Sequence, residues 1–219
     1  MFDILYNPNR VKNWQILIVM LILNELLLLL IHETFEAKAV VTGFSNIPGN
    51  PEDLELYKNH GRNIYKYAMI FLPLILCLKY LLLGLFLQMP LTLQSRKMAF
   101  KKTLRVAMVA SISQILSGVA RFQYFLKEDP EHISGEVLQK VPLSIASLFE
   151  TTALNQTLFF LINQFNMFEI LWCFLIYKGL SYYQKGGSAQ LKILVPLIWL
   201  ILLFIQFLSM LFSYQLIGT

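Results

Sequence analysis

Four ionisable side chains stand inside long apolar stretches: Glu25, Lys79, Arg121 and Glu169. A charge at the centre of a bilayer costs roughly 2.5–3.5 kcal/mol on insertion scales, so each of the four must be paired, hydrated or put to use. Two are acids and two are bases, which makes pairing the simplest solution. With 1.5 Å of rise per residue, Lys79 and Glu169 lie about 12 Å and 13 Å from the basic ends of their segments, Glu25 about 16 Å and Arg121 about 22 Å. Lys79 therefore matches Glu169 in depth. Glu25 can join that pair or reach outward to Arg121, because long side chains close the remaining gap. A structural ion-pair core, a proton or substrate relay, and snorkelling to the interface are the three chemistries open to the set.

Amides and hydroxyls surround these charges. Asn163, Gln164 and Asn166 lead into Glu169, and Ser111, Ser113, Gln114, Ser117 and Gly118 lead into Arg121. Ser113 and Ser117 have the small-xxx-small spacing that lets helices approach closely, so this segment is expected at the centre of the fold. Two facing polar segments make either a sealed hydrogen-bonded core or a water-filled cavity. Elsewhere the chemistry is thinner. His32 and Glu36 stand four apart and could share a metal, but a zinc site takes three or four ligands and only His60 and His132 offer further imidazoles. A solvated helix end is the simpler reading. There is no GxSxG, Walker A or HExxH motif and no cofactor is expected. An enzyme, acting at the outer interface through His32 and Glu36, is only the third reading. Cys77 and Cys173 both lie in apolar runs without a CxxC spacing, which argues against a disulfide framework. Asn155-Gln156-Thr157 fits a glycosylation sequon whose meaning depends on the host.

Composition says what kind of element must carry these groups. Of 219 residues, 57% are apolar and 14% are charged, against roughly 25% charged in an ordinary soluble domain. Mean hydropathy is +0.59. A soluble enzyme, a disordered chain and a nucleic-acid binder are set aside, and an all-α polytopic membrane bundle remains. Five apolar segments are read as transmembrane helices: 14–31, 65–87, 106–125, 158–177 and 191–216. None alternates like a strand, and lipid leaves the backbone no other solution than a helix. The first follows Arg10 and Lys12 like a signal peptide, but its length and the intervening His32, Glu33 and Glu36 favour a membrane helix over cleavage at Ala37-Lys38-Ala39. The fourth is one long helix from Thr152 or two pieces broken near Asn163–Asn166. The fifth, almost uniformly apolar, should face lipid.

The connections alternate in charge. Residues 32–64 and 126–157 are acidic on balance, whereas 88–105 carries Arg96, Lys97, Lys101, Lys102 and Arg105 with no acid, and the last loop carries Lys185 between Lys178 and Lys192. The positive-inside rule gives a cytoplasmic N-terminus and an exoplasmic C-terminus, which requires an odd number of spans. Pro51-Glu52-Asp53 reads as a helix start leading into the second span. Ser144–Phe149 is apolar but too short to cross, and either caps the bundle at the interface or re-enters it. The cluster Arg96–Arg105 would attract anionic lipid headgroups at about 1 kcal/mol per cation near the surface. It is either a pure topology signal or a docking site for lipid or a membrane-protein partner, a second copy included. With Phe100 its only interleaved aromatic, nucleic acid is not expected.

The stretch Phe165-Asn166-Met167-Phe168-Glu169-Ile170-Leu171-Trp172, then Gly179-Leu180, a short Tyr/Lys/Gly loop to Ala189 and a last apolar helix, resembles the Yip family (Rab/Ypt-interacting protein domain). The similarity covers roughly residues 160–215, and the rest corresponds in hydropathy. The resemblance implies five spans, a cytoplasmic N-terminus and a membrane-embedded adaptor that works through partners without catalysis. Its many bacterial members would place the chain in a cytoplasmic (inner) membrane. The chain has neither the long cytosolic N-terminal region nor the acidic-tyrosine-glycine-proline signature of the eukaryotic branch, whose GTPase binding is not carried over. A small transporter or channel, or a subunit of one, using the intramembrane charges is the alternative reading.

Overall fold

A computed structural model describes residues 2–33, 51–93, 98–127, 140–149, 156–184 and 189–217, and among these every regular element is helical. In chain order they are α1 (Phe2–Tyr6), α2 (Asn13–Ile31), α3 (Pro51–Leu93), α4 (Phe100–Ala110), α5 (Ile112–Lys127), a 3₁₀ turn (Ile145–Leu148), α6 (Gln156–Gln164), α7 (Met167–Tyr183) and α8 (Ala189–Ile217). Four stretches are long and apolar enough to cross a membrane: Asn13–Ile31, Tyr65–Leu93, Phe100–Tyr124 and Gln190–Phe212. They cover the first, second, third and fifth segments of the sequence reading.

The fourth segment is not one helix. It is α6 and α7, broken at Phe165 and Asn166. At nine residues α6 spans only about 13 Å, less than half of a bilayer core of ~30 Å. Between the two alternatives left open at Asn163–Asn166, the structure adopts the broken one.

Burial separates the helices by role. Only Ile16 and Met20 are buried along α2, so it presents apolar side chains to its surroundings nearly all round. In α8 the buried residues Leu191, Leu194, Val195 and Ile198 make one stripe in the first half, continued by half-buried Trp199 and Leu202, and most of the other described side chains are exposed. The apolar windows of these two helices are 11% and 17% buried, against 56% for Phe100–Tyr124. The least lipid-like segment is thus the central one, as its serines and glutamine suggest. It bends at Ser111, where two hydroxyls turn back on the main chain: Ser111 Oγ donates to the Ala107 carbonyl at 2.9 Å and Ser113 Oγ to that of Ala110 at 2.8 Å. Such bonds compete with the helical ladder and bend it.

Several boundaries shift from the sequence reading. The helix start at Pro51 runs without interruption into the second segment, a single helix of 43 residues, about 65 Å long and twice a bilayer core. The basic connection is shorter than 88–105, since α3 runs to Leu93 and α4 begins at Phe100. Gln88 closes that corner, donating to the Met98 carbonyl at 2.8 Å and accepting from Thr103 Oγ1 at 3.0 Å. Glycines stand where neighbouring elements leave no room for a side chain. A Cβ on Gly179 would stand 2.7 Å from Tyr6 Cε1 and 2.8 Å from Val106 Cγ2, so no side chain fits there.

The starts of α2 and α4 meet through Asn13 Nδ2, which donates to the Lys101 carbonyl at 3.0 Å. The C-terminal half of α7 joins them, because Tyr6 Oη donates to the Leu175 carbonyl at 2.7 Å. At the other end, the His32 ring after α2 stacks on Tyr65 of α3, centroids 3.5 Å apart and planes 5° from parallel. Successive long segments consequently alternate in direction, which brings Lys101, Lys102 and Arg105 to the end where α2 starts and α7 finishes, the basic end.

Candidate functional site

The break between α6 and α7 is built by amides. Asn166 is the N-cap of α7, and its Oδ1 accepts from the Phe168 and Glu169 amides at 3.0 Å and 2.9 Å. Its Nδ2 donates back to the Asn163 carbonyl at 3.0 Å, tying off the end of α6. Asn163 Oδ1 in turn accepts the Val141 amide at 2.9 Å. The chain at 140–149 is thereby folded onto the break, where Ser144 and Asn166 form a single antiparallel bridge and the Ile145 amide donates to the Phe165 carbonyl at 3.0 Å. The short apolar patch Ser144–Phe149 therefore caps a helix discontinuity. The cap has a simple test. Asn166→Ala removes the acceptor of two amides and is expected to cost about 1–2 kcal/mol of unfolding free energy, read as a lowered Tm in detergent. An unchanged Tm would mean that the break is held by 140–149 alone.

Glu169 sits in the first turn of α7, where the amide ends of the helix favour a negative charge. Trp199 of α8 donates its Nε1 to Glu169 Oε2 at 2.9 Å. Lys79 on α3 lies within electrostatic range of the carboxylate, but its ammonium bonds to Gln114 Oε1 on α5, at 2.6 Å. Measured from the basic ends of their helices at Leu93, Phe100 and Tyr183, Lys79, Gln114 and Glu169 are all about 21 Å deep. The depth match between Lys79 and Glu169 holds, with Gln114 and Trp199 as the groups in direct contact. Arg121 lies two turns beyond Gln114, and its Nε is buried with no hydrogen-bond partner. Glu25 is half-buried on α2 and lines none of the cavities described below.

These groups surround space. Gln114, Ser117, Gly118 and Arg121 form one i, i+3, i+4, i+7 stripe of α5, facing Gln164, Asn166 and Glu169 across a cavity of about 250 Å³. A second, small cavity of about 40 Å³ lies between Gln114, Gln164, Glu169, Trp172, Trp199 and Gln206. A third, of about 670 Å³, is lined by Leu143, Ile145, Leu148, Phe165, Met167, Ile170 and Trp199, with Gln164, Asn166 and Glu169 at its inner edge. Gln164 and Glu169 border all three. Intramembrane residues that the sequence singled out on two segments are thus brought to one place.

The basic end holds a second polar assembly, and it corrects the reading of Arg105. The charge cluster groups that residue with Arg96, Lys97, Lys101 and Lys102, as a topology signal or as a docking site for lipid or a partner. Arg105 is instead 1% exposed. Its Nε donates to Asn13 Oδ1 at 2.7 Å, its Nη1 to the Tyr6 carbonyl at 3.4 Å and its Nη2 to the Val11 carbonyl. Tyr183 Oη also donates to the Tyr6 carbonyl. The guanidinium fork is required because the segment between α1 and α2 turns its carbonyls inward, and only a planar donor satisfies several of them at once. Tyr6 and Asn13, which the sequence did not single out, are the other halves of this clamp. Lys101 and Lys102 do face outward, Lys102 lying 5.3 Å from the Tyr183 ring centroid. Arg96 and Lys97 lie outside the described residues.

Glu36, the partner suggested for His32 in a metal site, also lies outside them. Among the described residues no group of three His, Cys, Asp or Glu side chains is positioned to hold a metal. Compared with known proteins, the chain matches no family model, no curated protein and no solved structure.

Proposed function

We propose that this chain crosses the membrane five times, the α6–α7 pair making the fourth crossing, and that it handles a polar or amphiphilic solute at the helix break, as a small transporter or a subunit of one. The carrying observation is the position of Glu169, in the first turn of a broken helix and on the wall of three adjoining cavities. A helix interrupted at depth leaves main-chain groups for a solute to meet, and irregular backbone is tolerated there where it lines a cavity. The arrangement suits binding and passage. The charge alternation of the loops supports a cytoplasmic N-terminus and an exoplasmic C-terminus, and the Yip resemblance supports a bacterial cytoplasmic membrane.

A second reading, the Yip-type adaptor, is favoured by one specific observation. Gly179 and Leu180, part of the resemblance, are both buried at the sealed basic end, while Lys101 and Lys102 remain on its surface for an anionic leaflet, a partner protein or a second copy.

Single cysteines at 112–127 and 156–177, in a background lacking Cys77 and Cys173, separate the two. With a small charged thiol reagent applied from each side, solute handling predicts that positions 114, 117 and 121 react while 116 and 119 do not. An adaptor with a dry core predicts no reaction on either face.

A further inference from the structure

The polar cavity and the apolar cavity share Gln164, Asn166 and Glu169 along their common edge. One side of that edge holds a cation and an anion, Arg121 and Glu169; the other holds about 670 Å³ bounded almost wholly by apolar side chains. We propose, building on the solute-handling reading above, that the two form one site for a single phospholipid with a zwitterionic, primary-amine headgroup of the phosphatidylethanolamine type. The phosphate meets Arg121, the ammonium meets Glu169, and an acyl chain lies along Leu143, Ile145, Phe165, Met167 and Ile170.

Charge complementarity selects this occupant. The charged groups that line the two cavities, Arg121 and Glu169, are together neutral, and so is a zwitterion; Lys79, within electrostatic range of Glu169, lines neither cavity and bonds to Gln114. The buried, unpartnered Nε of Arg121 supplies a fork donor suited to phosphate oxygens. Glu169 already accepts Trp199 Nε1 at Oε2, and a carboxylate keeps further acceptor sites that a primary ammonium, with three donors, can fill. A quaternary ammonium has no N–H to donate there. An anionic headgroup without an amine would set its charge against Glu169 with nothing in exchange. A free water-soluble zwitterion would use the polar cavity and leave the apolar one unexplained.

The test uses the full-length chain in detergent, titrated separately with dioleoyl phosphatidylethanolamine, the matching phosphatidylcholine, the matching phosphatidylglycerol and glycerophosphoethanolamine, with binding read by native mass spectrometry and Tm. At least tenfold preference for phosphatidylethanolamine over the other two lipids is expected. Arg121→Gln should abolish that preference. Because Arg121→Gln could disturb folding, Ile170→Trp serves as a second variant. It fills the apolar groove from an exposed position, and is expected to weaken lipid binding at least tenfold while leaving any response to glycerophosphoethanolamine intact. Equal binding of the three lipids, or a preference that survives both variants, would mean ordinary annular contact and overturns the proposal. Binding of glycerophosphoethanolamine without lipid selectivity overturns the lipid proposal but keeps the solute-handling reading. If the cysteine scan finds the polar stripe inaccessible, that reading itself falls.

Discussion

Arg105→Ala is expected to lower the unfolding free energy by about 3 kcal/mol or more. A hydrogen bond to a charged group contributes about 1.5–3 kcal/mol, and this guanidinium donates to Asn13, to Tyr6 and to Val11 from a site that is 1% exposed. Its removal leaves the Val11 carbonyl and the Asn13 amide oxygen facing a hole of guanidinium size. The Tyr6 carbonyl keeps Tyr183, so that contact loses less. Arg105→Lys should rescue little, since a point charge cannot reproduce the fork. The consequence is local as well as global. Tyr6, fully buried and bonded to the Leu175 carbonyl, anchors α1 against α7. Loss of the clamp should release the segment before α2, detected as protease cleavage before Asn13 under conditions where the parent chain is resistant. A surface role for Arg105 predicts the opposite pattern, with unchanged Tm and loss of binding to anionic vesicles.

The second large effect belongs to the Lys79 and Glu169 pair, and is visible only as a cycle. Removing either charge strands the other at a depth where an uncompensated charge costs roughly 2.5–3.5 kcal/mol. Lys79→Met leaves Glu169 its hydrogen bond from Trp199, with Arg121 across the polar cavity, and Glu169→Leu leaves Lys79 its hydrogen bond to Gln114. Each single change should therefore destabilise by about 2–3 kcal/mol. The double change removes both charges together, and should cost less than the sum by about 1–3 kcal/mol, the range for directly coupled residues. Strict additivity in thermal or denaturant unfolding would show that the two are solvated independently, in place of the pairing that their common depth implies.

The sequence carried a good deal of this structure because membrane helices announce themselves. Apolar length and charge alternation suffice to place the first, second, third and fifth segments and to put the serine-rich third at the centre. Where they fell short, the missing information was local chemistry. Asn166 followed three residues later by Glu169 is the spacing of a helix N-cap with an acid in the first turn, and it marks the restart of α7 within a stretch whose hydropathy reads as continuous. Val141, in the partner segment 140–149, lies 22 residues before Asn163, and nothing in the segment's composition says that the two will meet. Depth alone pairs Lys79 with Glu169, and Gln114 stands out only as one of the polar groups leading into Arg121; Trp199 does not stand out, since an indole is ordinary in an apolar run. Arg105 was misread for a physical reason. Five cations in ten residues look like one patch, yet the helix begins at Phe100, so Arg105 is five residues into a periodic element and turns inward while Lys101 and Lys102 turn out. Tyr6 could have been suspected only from its place in a short apolar stretch ahead of the first span.

The measurement that bears most directly on this account is water-edited solid-state NMR of the isotopically labelled protein in lipid bilayers, which reads water contact without altering a side chain. Polarisation from water should reach the side-chain amides of Gln114, Gln164 and Asn166 and the guanidinium of Arg121 at short mixing times, while Leu116 and Val119, at the same depth on the outer face of α5, stay dark. Silence from all four polar groups, at mixing times that light the exposed Lys101 and Lys102, would contradict a hydrated cavity at the helix break and leave a sealed polar core in its place.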